Sequence, residues 1–148
     1  SDYPIPDSWK EYLYRSDGSA KKIILYNTSV TALLNHEQAM LDKINNVFTV
    51  FSEFKDDVAL LWRPHPLLSA TIKSMCPDLL EPYNSLVDGY KANKIGIYDD
   101  SAELDRALVY ADAYFGDPSS LVTLCKAIDM PIMIQNVDIL ESTDDEEE

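Results

Sequence analysis

Glycine is scarce in this chain, with four in 148 residues, and no Gly-x-Gly-x-x-Gly or Walker sequence occurs. That excludes the glycine-rich loops that carry dinucleotide pyrophosphates or cradle the phosphates of P-loop enzymes. Basic residues are also in deficit: 12 Lys and Arg against 26 Asp and Glu give a net charge of −14. A field of that sign disfavours nucleic acid and anionic membrane surfaces as partners. No apolar run approaches the roughly 20 residues of a membrane-spanning helix. The opening Ser1-Asp2-Tyr3-Pro4 has no basic stretch followed by an apolar one, so no secretory signal is expected and a cytoplasmic protein is. Cys76 and Cys125 stand alone without metal-ligand spacing, and read as reduced, small apolar side chains.

What the chain does have is alternation. Residues 1–20 form a lead-in broken by Pro4, Pro6 and Gly18, with a short helical turn expected from Asp7 and capped by Asp7 or Ser8. From residue 21 to 140 short apolar runs alternate with helical patterns. Ile23-Ile24-Leu25-Tyr26 and Val58-Ala59-Leu60-Leu61-Trp62 are continuous apolar runs, as strands buried on both faces require. Ile95-Gly96-Ile97-Tyr98, Ala113-Tyr114-Phe115 and Pro131-Ile132-Met133-Ile134 complete five expected strands. Between them, Met40, Leu41, Ile44, Val47, Phe48 and Phe51 recur at helical spacing and predict a helix over 37–54. Further helices are expected over 67–75 and 78–91, through Leu104, Leu108 and Val109 after the capping residues Asp99-Asp100-Ser101, and over 119–128. The pattern predicts a three-layer α/β Rossmann-like domain: a five-stranded parallel sheet, helices on both faces, right-handed crossovers. Residues 141–148 hold six carboxylates and no apolar side chain, the composition of a disordered acidic tail.

In open α/β sheets, ligands lie beyond the carboxyl ends of the strands, where strand order reverses. That rule selects Asn27-Thr28-Ser29, Arg63-Pro64-His65-Pro66, Asp99-Asp100-Ser101, Gly116-Asp117-Pro118-Ser119-Ser120 and Gln135-Asn136. The Gly116–Ser120 loop enters a helix, whose first amide groups are unpaired and, with the helix dipole, suit an anion. Ser119 and Ser120 add hydroxyls for phosphate oxygens; the plainer alternative makes Asp117 or Ser119 a helix cap. Pro64 and Pro66 fix the backbone around Arg63, a planar fork for phosphate or carboxylate, and His65, a donor or proton carrier; a satisfied loop histidine is the alternative. Asn27, Thr28 and Ser29 offer three short polar side chains that fit either a phosphate contact or a turn. His36 reads as a capping-region residue at the start of the long helix. A phosphoacceptor receiver would want acids where Tyr26-Asn27-Thr28 stands, and a serine hydrolase would want Gly-x-Ser-x-Gly, which is missing. Asp99, Asp100, Asp112 and Asp117 form no specific metal pattern; Asp99 and Asp100 read as solvated caps, and neither a metal nor another cofactor is expected.

Taken in order, residues 24–29 (Ile-Leu-Tyr-Asn-Thr-Ser), 62–66 (Trp-Arg-Pro-His-Pro), 98–100 (Tyr-Asp-Asp), 111–120 (Ala-Asp-Ala-Tyr-Phe-Gly-Asp-Pro-Ser-Ser) and 131–134 (Pro-Ile-Met-Ile) carry a resemblance. The chain resembles, over residues 21–136, the C-terminal donor-nucleotide half of CDP-glycerol glycerophosphotransferase-like proteins, which have the two-domain GT-B glycosyltransferase architecture. The resemblance implies a transferase that moves a glycerophosphate or sugar unit from a nucleotide diphosphate donor to a cell-surface polymer or glycan, such as a teichoic acid. It places Arg63 and His65 at the donor phosphates, with His65 assisting departure of the leaving phosphate, and gives Asp117, Ser119 and Ser120 to the family's Asp-x-Ser-Ser. It also implies an N-terminal partner domain, without which no transfer occurs, and membrane association only through that further part. The chain departs from the family at Leu124, where an acidic residue is usual. A binding or interaction module that has kept the fold and lost the nucleotide is the competing reading.

Overall fold

The computed structural model describes residues 3–135; the expected acidic tail and Asn136 lie outside them. Five strands form one sheet in the order β3-β2-β1-β4-β5, every neighbouring pair parallel: β1 (Lys22–Thr28), β2 (Val58–Pro64), β3 (Ile97–Tyr98), β4 (Ala113–Gly116) and β5 (Ile132–Ile134). The expected α/β architecture is therefore present. Strand order reverses beside β1, whose neighbours are β2 on one side and β4 on the other. Because every strand points the same way, all five carboxyl ends meet at one edge of the sheet.

Side-chain alternation along the strands sends residues to two cores. Tyr26, Leu60 and Trp62 face a layer made by α2 (Val30–His36), α3 (Gln38–Glu53), α4 (Leu68–Met75) and α5 (Leu80–Ala92). Ile23, Leu25, Ala59 and Leu61 face α1 (Asp7–Leu13), α6 (Leu104–Tyr110) and α7 (Ser120–Ala127). Trp62 is the hub of the first core, its ring 4.8 Å from Phe48, 5.2 Å from Tyr90 and 5.3 Å from Tyr98. Burial of each such side chain contributes about 1.5–3 kcal/mol. Gly96 lets β3 approach: a Cβ there would lie 2.4 Å from the Leu60 carbonyl oxygen and 2.7 Å from the Tyr90 hydroxyl. That hydroxyl donates to the Ile97 carbonyl at 2.7 Å, pinning α5 to the sheet.

Several boundaries differ from those expected. The expected helix over 37–54 begins at Gln38, and a separate α2 precedes it, the two parted at Glu37 with φ +46°. His36 thus ends α2 rather than starting the long helix. A 3-10 turn over Pro77–Leu79 leads into α5. The third strand keeps only Ile97 and Tyr98 of the four residues expected. The cap of α1 is Pro6, with no side-chain hydrogen bond, so neither Asp7 nor Ser8 caps it; both already lie within the helix. Among the described residues, no helix is long and apolar enough to cross a membrane.

Candidate functional site

The carboxyl edge divides into two polar clusters. The first lies at the reversal between β1 and β4, where Asn27 stands opposite Gly116 in register. Gly116 has φ +145°, and a Cβ on it would lie 2.3 Å from the Asn27 carbonyl oxygen, so only glycine fits this close approach. The backbone N–H of Asp117 then donates to that same carbonyl at 3.1 Å. The Asn27 side-chain amide donates to the Tyr114 hydroxyl at 3.1 Å and to Ser119 Oγ at 3.3 Å. Tyr114 in turn donates to the Asp117 carbonyl. The loop is thus tied to β1 through both main chain and side chains before it enters α7.

Ser119 caps α7, its Oγ accepting from the Leu121 N–H at 3.2 Å, and Ser120 is exposed at the first helical position. The cap alternative for Ser119 is therefore realised, and so is its place beside Asn27. Ser29 is likewise a cap, accepting from the Ala32 N–H at 3.1 Å and starting α2. Thr28 is fully buried, and its hydroxyl accepts from Trp62 Nε1 at 3.1 Å.

Asp117 is 1% exposed, and its carboxylate sits between neutral donors. Oδ2 accepts from the Ser29 backbone N–H at 2.7 Å, and Oδ1 accepts from Gln135 Nε2 at 3.0 Å. Gln135 Oε1 accepts from the Tyr26 hydroxyl at 2.9 Å. Burial pushes the Asp117 carboxyl above its ordinary value of 3.8, because desolvation disfavours the charged form; the Ser29 and Gln135 hydrogen bonds and the charge of His36 oppose this.

The second cluster lies beyond β2 and β3. Arg63 Nη1 meets Asp99 Oδ2 at 2.8 Å, with the two side chains 8% and 2% exposed. Asp99 is therefore a buried ion-pair partner, not the solvated cap the sequence suggests. Its Oδ1 accepts from the Ser101 N–H and Oγ–H, at 3.0 and 2.6 Å, and lies 3.7 Å from Arg106 Nη2. Arg106 spreads its guanidinium over the Trp9 ring at 4.9 Å, and its Nε is buried without a hydrogen-bond partner among the described residues. Arg63 and Arg106 thus share Asp99 at this edge of the sheet.

His65 follows β2 and is tied to the end of β1. Its backbone N–H donates to the Thr28 carbonyl at 3.1 Å, and its exposed ring accepts from the Leu67 N–H at Nδ1, 3.1 Å away. Because Nδ1 accepts, the neutral ring carries its proton on Nε2 and offers it as a donor. The structure thus gathers Asn27, Ser29, His65, Asp117, Ser119 and Ser120 around the strand-order reversal, whereas Arg63 is turned into its own clamp. Asp112, just before β4, accepts from the Ile23 N–H at 2.8 Å and ties the opposite end of the sheet. Among the described residues, no group of three His, Cys, Asp or Glu side chains is arranged to hold a metal ion.

Sequence reasoning missed two participants, Tyr114 and Arg106, and for a third, Gln135, it missed the partner. Gln135 was selected by position alone, with no sign that it reaches Asp117. Tyr114 read as a strand residue, yet it organises the loop that follows it. Arg106 lies in a helix and carries no local signal of its pairing with Asp99. Compared with known proteins, the chain matches no protein-family model and no curated sequence.

Proposed function

We propose that this chain is the donor-nucleotide-binding half of a glycosyl- or glycerophosphotransferase, holding the phosphates of a nucleoside diphosphate donor at the β1–β4 reversal. The observation that carries the reading is the tie between Asn27 and Ser119 at 3.3 Å. It fixes the entrance of α7, with Ser120 exposed on its first turn, at the place where parallel sheets take ligands. Phosphate oxygens there would meet the Ser120 hydroxyl and the Nε2 proton of His65, and would compete with Ser119 Oγ for the Leu121 N–H at the helix start. Arg63 is committed to its ion pair with Asp99 and is not counted among these contacts. His65, able to donate through Nε2, would stabilise the departing phosphate during transfer. The remaining assignments rest on the resemblance: a cell-surface polymer or glycan acceptor, a cytoplasmic site of reaction, and a second, N-terminal domain that closes the cleft.

The second reading is a binding module without transferase activity. Leu124 favours it: this side chain is 46% exposed on α7, where the family places an acidic residue. A titration separates the two. The isotope-labelled chain is titrated with CDP-glycerol, UDP-sugars and GDP-sugars while amide signals are followed. Saturable shifts at His65 and residues 116–120, lost in a Ser119→Ala, Ser120→Ala double variant, are expected for the donor-binding half. The absence of saturable shifts at millimolar nucleotide contradicts it and favours the module.

A further inference from the structure

Chain order decides which face of the sheet each crossover helix covers. The crossovers from β1 to β2 and from β2 to β3 put α2–α5 on one face, and those leading to β4 and β5 put α6 and α7 on the other. Over β4 and β5, the face shared with α3 therefore carries no helix among the described residues. Tyr26, Phe115 and Met133 stand side by side on that face, in register across β1, β4 and β5. Tyr26 is fully buried, its ring stacked on Phe115 at 5.2 Å, whereas Met133 is 66% exposed. Ile24, Val50, Phe51, Phe115, Pro131 and Met133 bound a groove of about 490 Å³, and none of its described lining residues is charged. β5 is also an edge strand, and natural proteins ordinarily cover open edges and apolar patches of this kind.

The chain itself supplies a cover of matching chemistry. Met133 lies two residues before Gln135, after which the sequence runs Asn136-Val137-Asp138-Ile139-Leu140. Three of those five side chains are apolar, and residues 141–148 that follow hold six carboxylates and no apolar side chain. Five extended residues span roughly 17 Å, more than the roughly 13 Å of strand that separates Gln135 from Pro131. We infer that residues 136–140 turn back over the groove and set Val137, Ile139 and Leu140 against Met133, Phe115 and the Val50–Phe51 flank of α3.

Two observations favour this occupant over a second copy. A segment tethered two residues from Met133 meets the groove at high effective concentration, so three apolar side chains suffice. Two copies would each bring a net charge of −14 to the contact. The order of the sequence also fits, because carboxylates cannot enter an uncharged groove without a partner. They emerge at its far end, where exposed Lys22 lies on the same face of β1 as Ile24. Lys21 and Lys55 are joined there, Lys21 Nζ donating to the Lys55 carbonyl at 2.5 Å, beside Glu53, Asp56 and the Arg15–Asp57 pair. The surface met by the acidic residues is thus of mixed charge. The groove is distinct from the loops of the carboxyl edge, and the inference does not depend on the donor-binding reading.

The test is made on the natural full chain, without nucleotide, at low protein concentration. Nuclear Overhauser contacts are expected from the methyl groups of Val137, Ile139 and Leu140 to the Met133 methyl and the Phe115 ring. In an Ile139→Asp, Leu140→Asp double variant these contacts are expected to vanish. The Met133 and Val50 methyl signals should then shift, while the Leu61 and Trp62 signals stay in place. Absence of the contacts in the natural chain, or Met133 and Val50 signals unmoved in the variant, overturns the inference. Contacts found only between differently labelled copies in a mixed sample assign the groove to a second copy and overturn it as well. Because the contacts are read in the natural sequence, the result does not depend on the variant folding.

Discussion

Asp99 and Asp117 invite comparison. Each follows a strand at the carboxyl edge of the sheet, and they are 3% and 1% exposed. Their partners differ in kind. Asp99 touches guanidinium groups from Arg63 and, at longer range, Arg106, whereas Asp117 is held by a backbone amide and a glutamine. The first arrangement is a pin, whose loss would strand buried positive charge. The second leaves a buried negative charge among neutral dipoles, and that is why burial lifts its affinity for a proton. Burial alone therefore does not say what an aspartate does; the charge of what it meets decides.

The largest expected effect comes from breaking the pin. Asp99→Ala leaves Arg63 buried without its partner and is expected to destabilise the domain by about 3–5 kcal/mol, read as a fall in the urea midpoint. Replacing both members with apolar residues of similar volume is expected to recover most of that loss, which distinguishes a stranded charge from lost packing.

Gly116→Ala strikes the other cluster at its backbone. The new Cβ would press on the Asn27 carbonyl oxygen at 2.3 Å, in a conformation with φ +145°. Strain of this kind costs about 1–3 kcal/mol, and hydrogen exchange should show it as faster opening of the Asp117 amide.

Asp117→Asn sharpens the comparison through its pH dependence. The folded chain holds the Asp117 proton more tightly than the unfolded chain does, so this group's stabilising contribution is complete below 3.8 and is lost as pH rises through the raised folded value. Chemical denaturation across that window should show the natural protein losing stability relative to the Asn variant as pH increases. Constancy of that difference would mean that Asp117 is not held as described.

The smallest effect expected is that of Ser119→Ala, which removes the α7 cap and one partner of Asn27. The cost is about 1 kcal/mol, measurable as a modest drop in thermal midpoint with the fold retained.

The strands were legible because β1 and β2 are buried on both faces, and such strands announce themselves as unbroken apolar runs. Their true ends were not, because Asn27–Thr28 and Arg63–Pro64 are paired in register although polar or proline-containing. The short α2 was hidden by Ser29, whose side chain suits a turn and a helix cap equally well. Chain order located the loops of the candidate site. It could not reveal how they join, because Asp117 meets Gln135 eighteen positions later and Ser29 eighty-eight positions earlier. An aspartate after a strand also looks the same in sequence whether it is solvated or clamped by arginines, and so Asp99 read as a cap.

The most direct test of the account is to map, residue by residue, where CDP-glycerol perturbs the amide spectrum of the whole chain, with free CDP as a second probe. The account predicts saturable shifts centred on His65 and residues 116–120, with the Asp99–Ser101 segment moving little because its partners are already committed. Shifts centred instead on Asp99 to Ser101, or no saturable shift with either nucleotide, would contradict it.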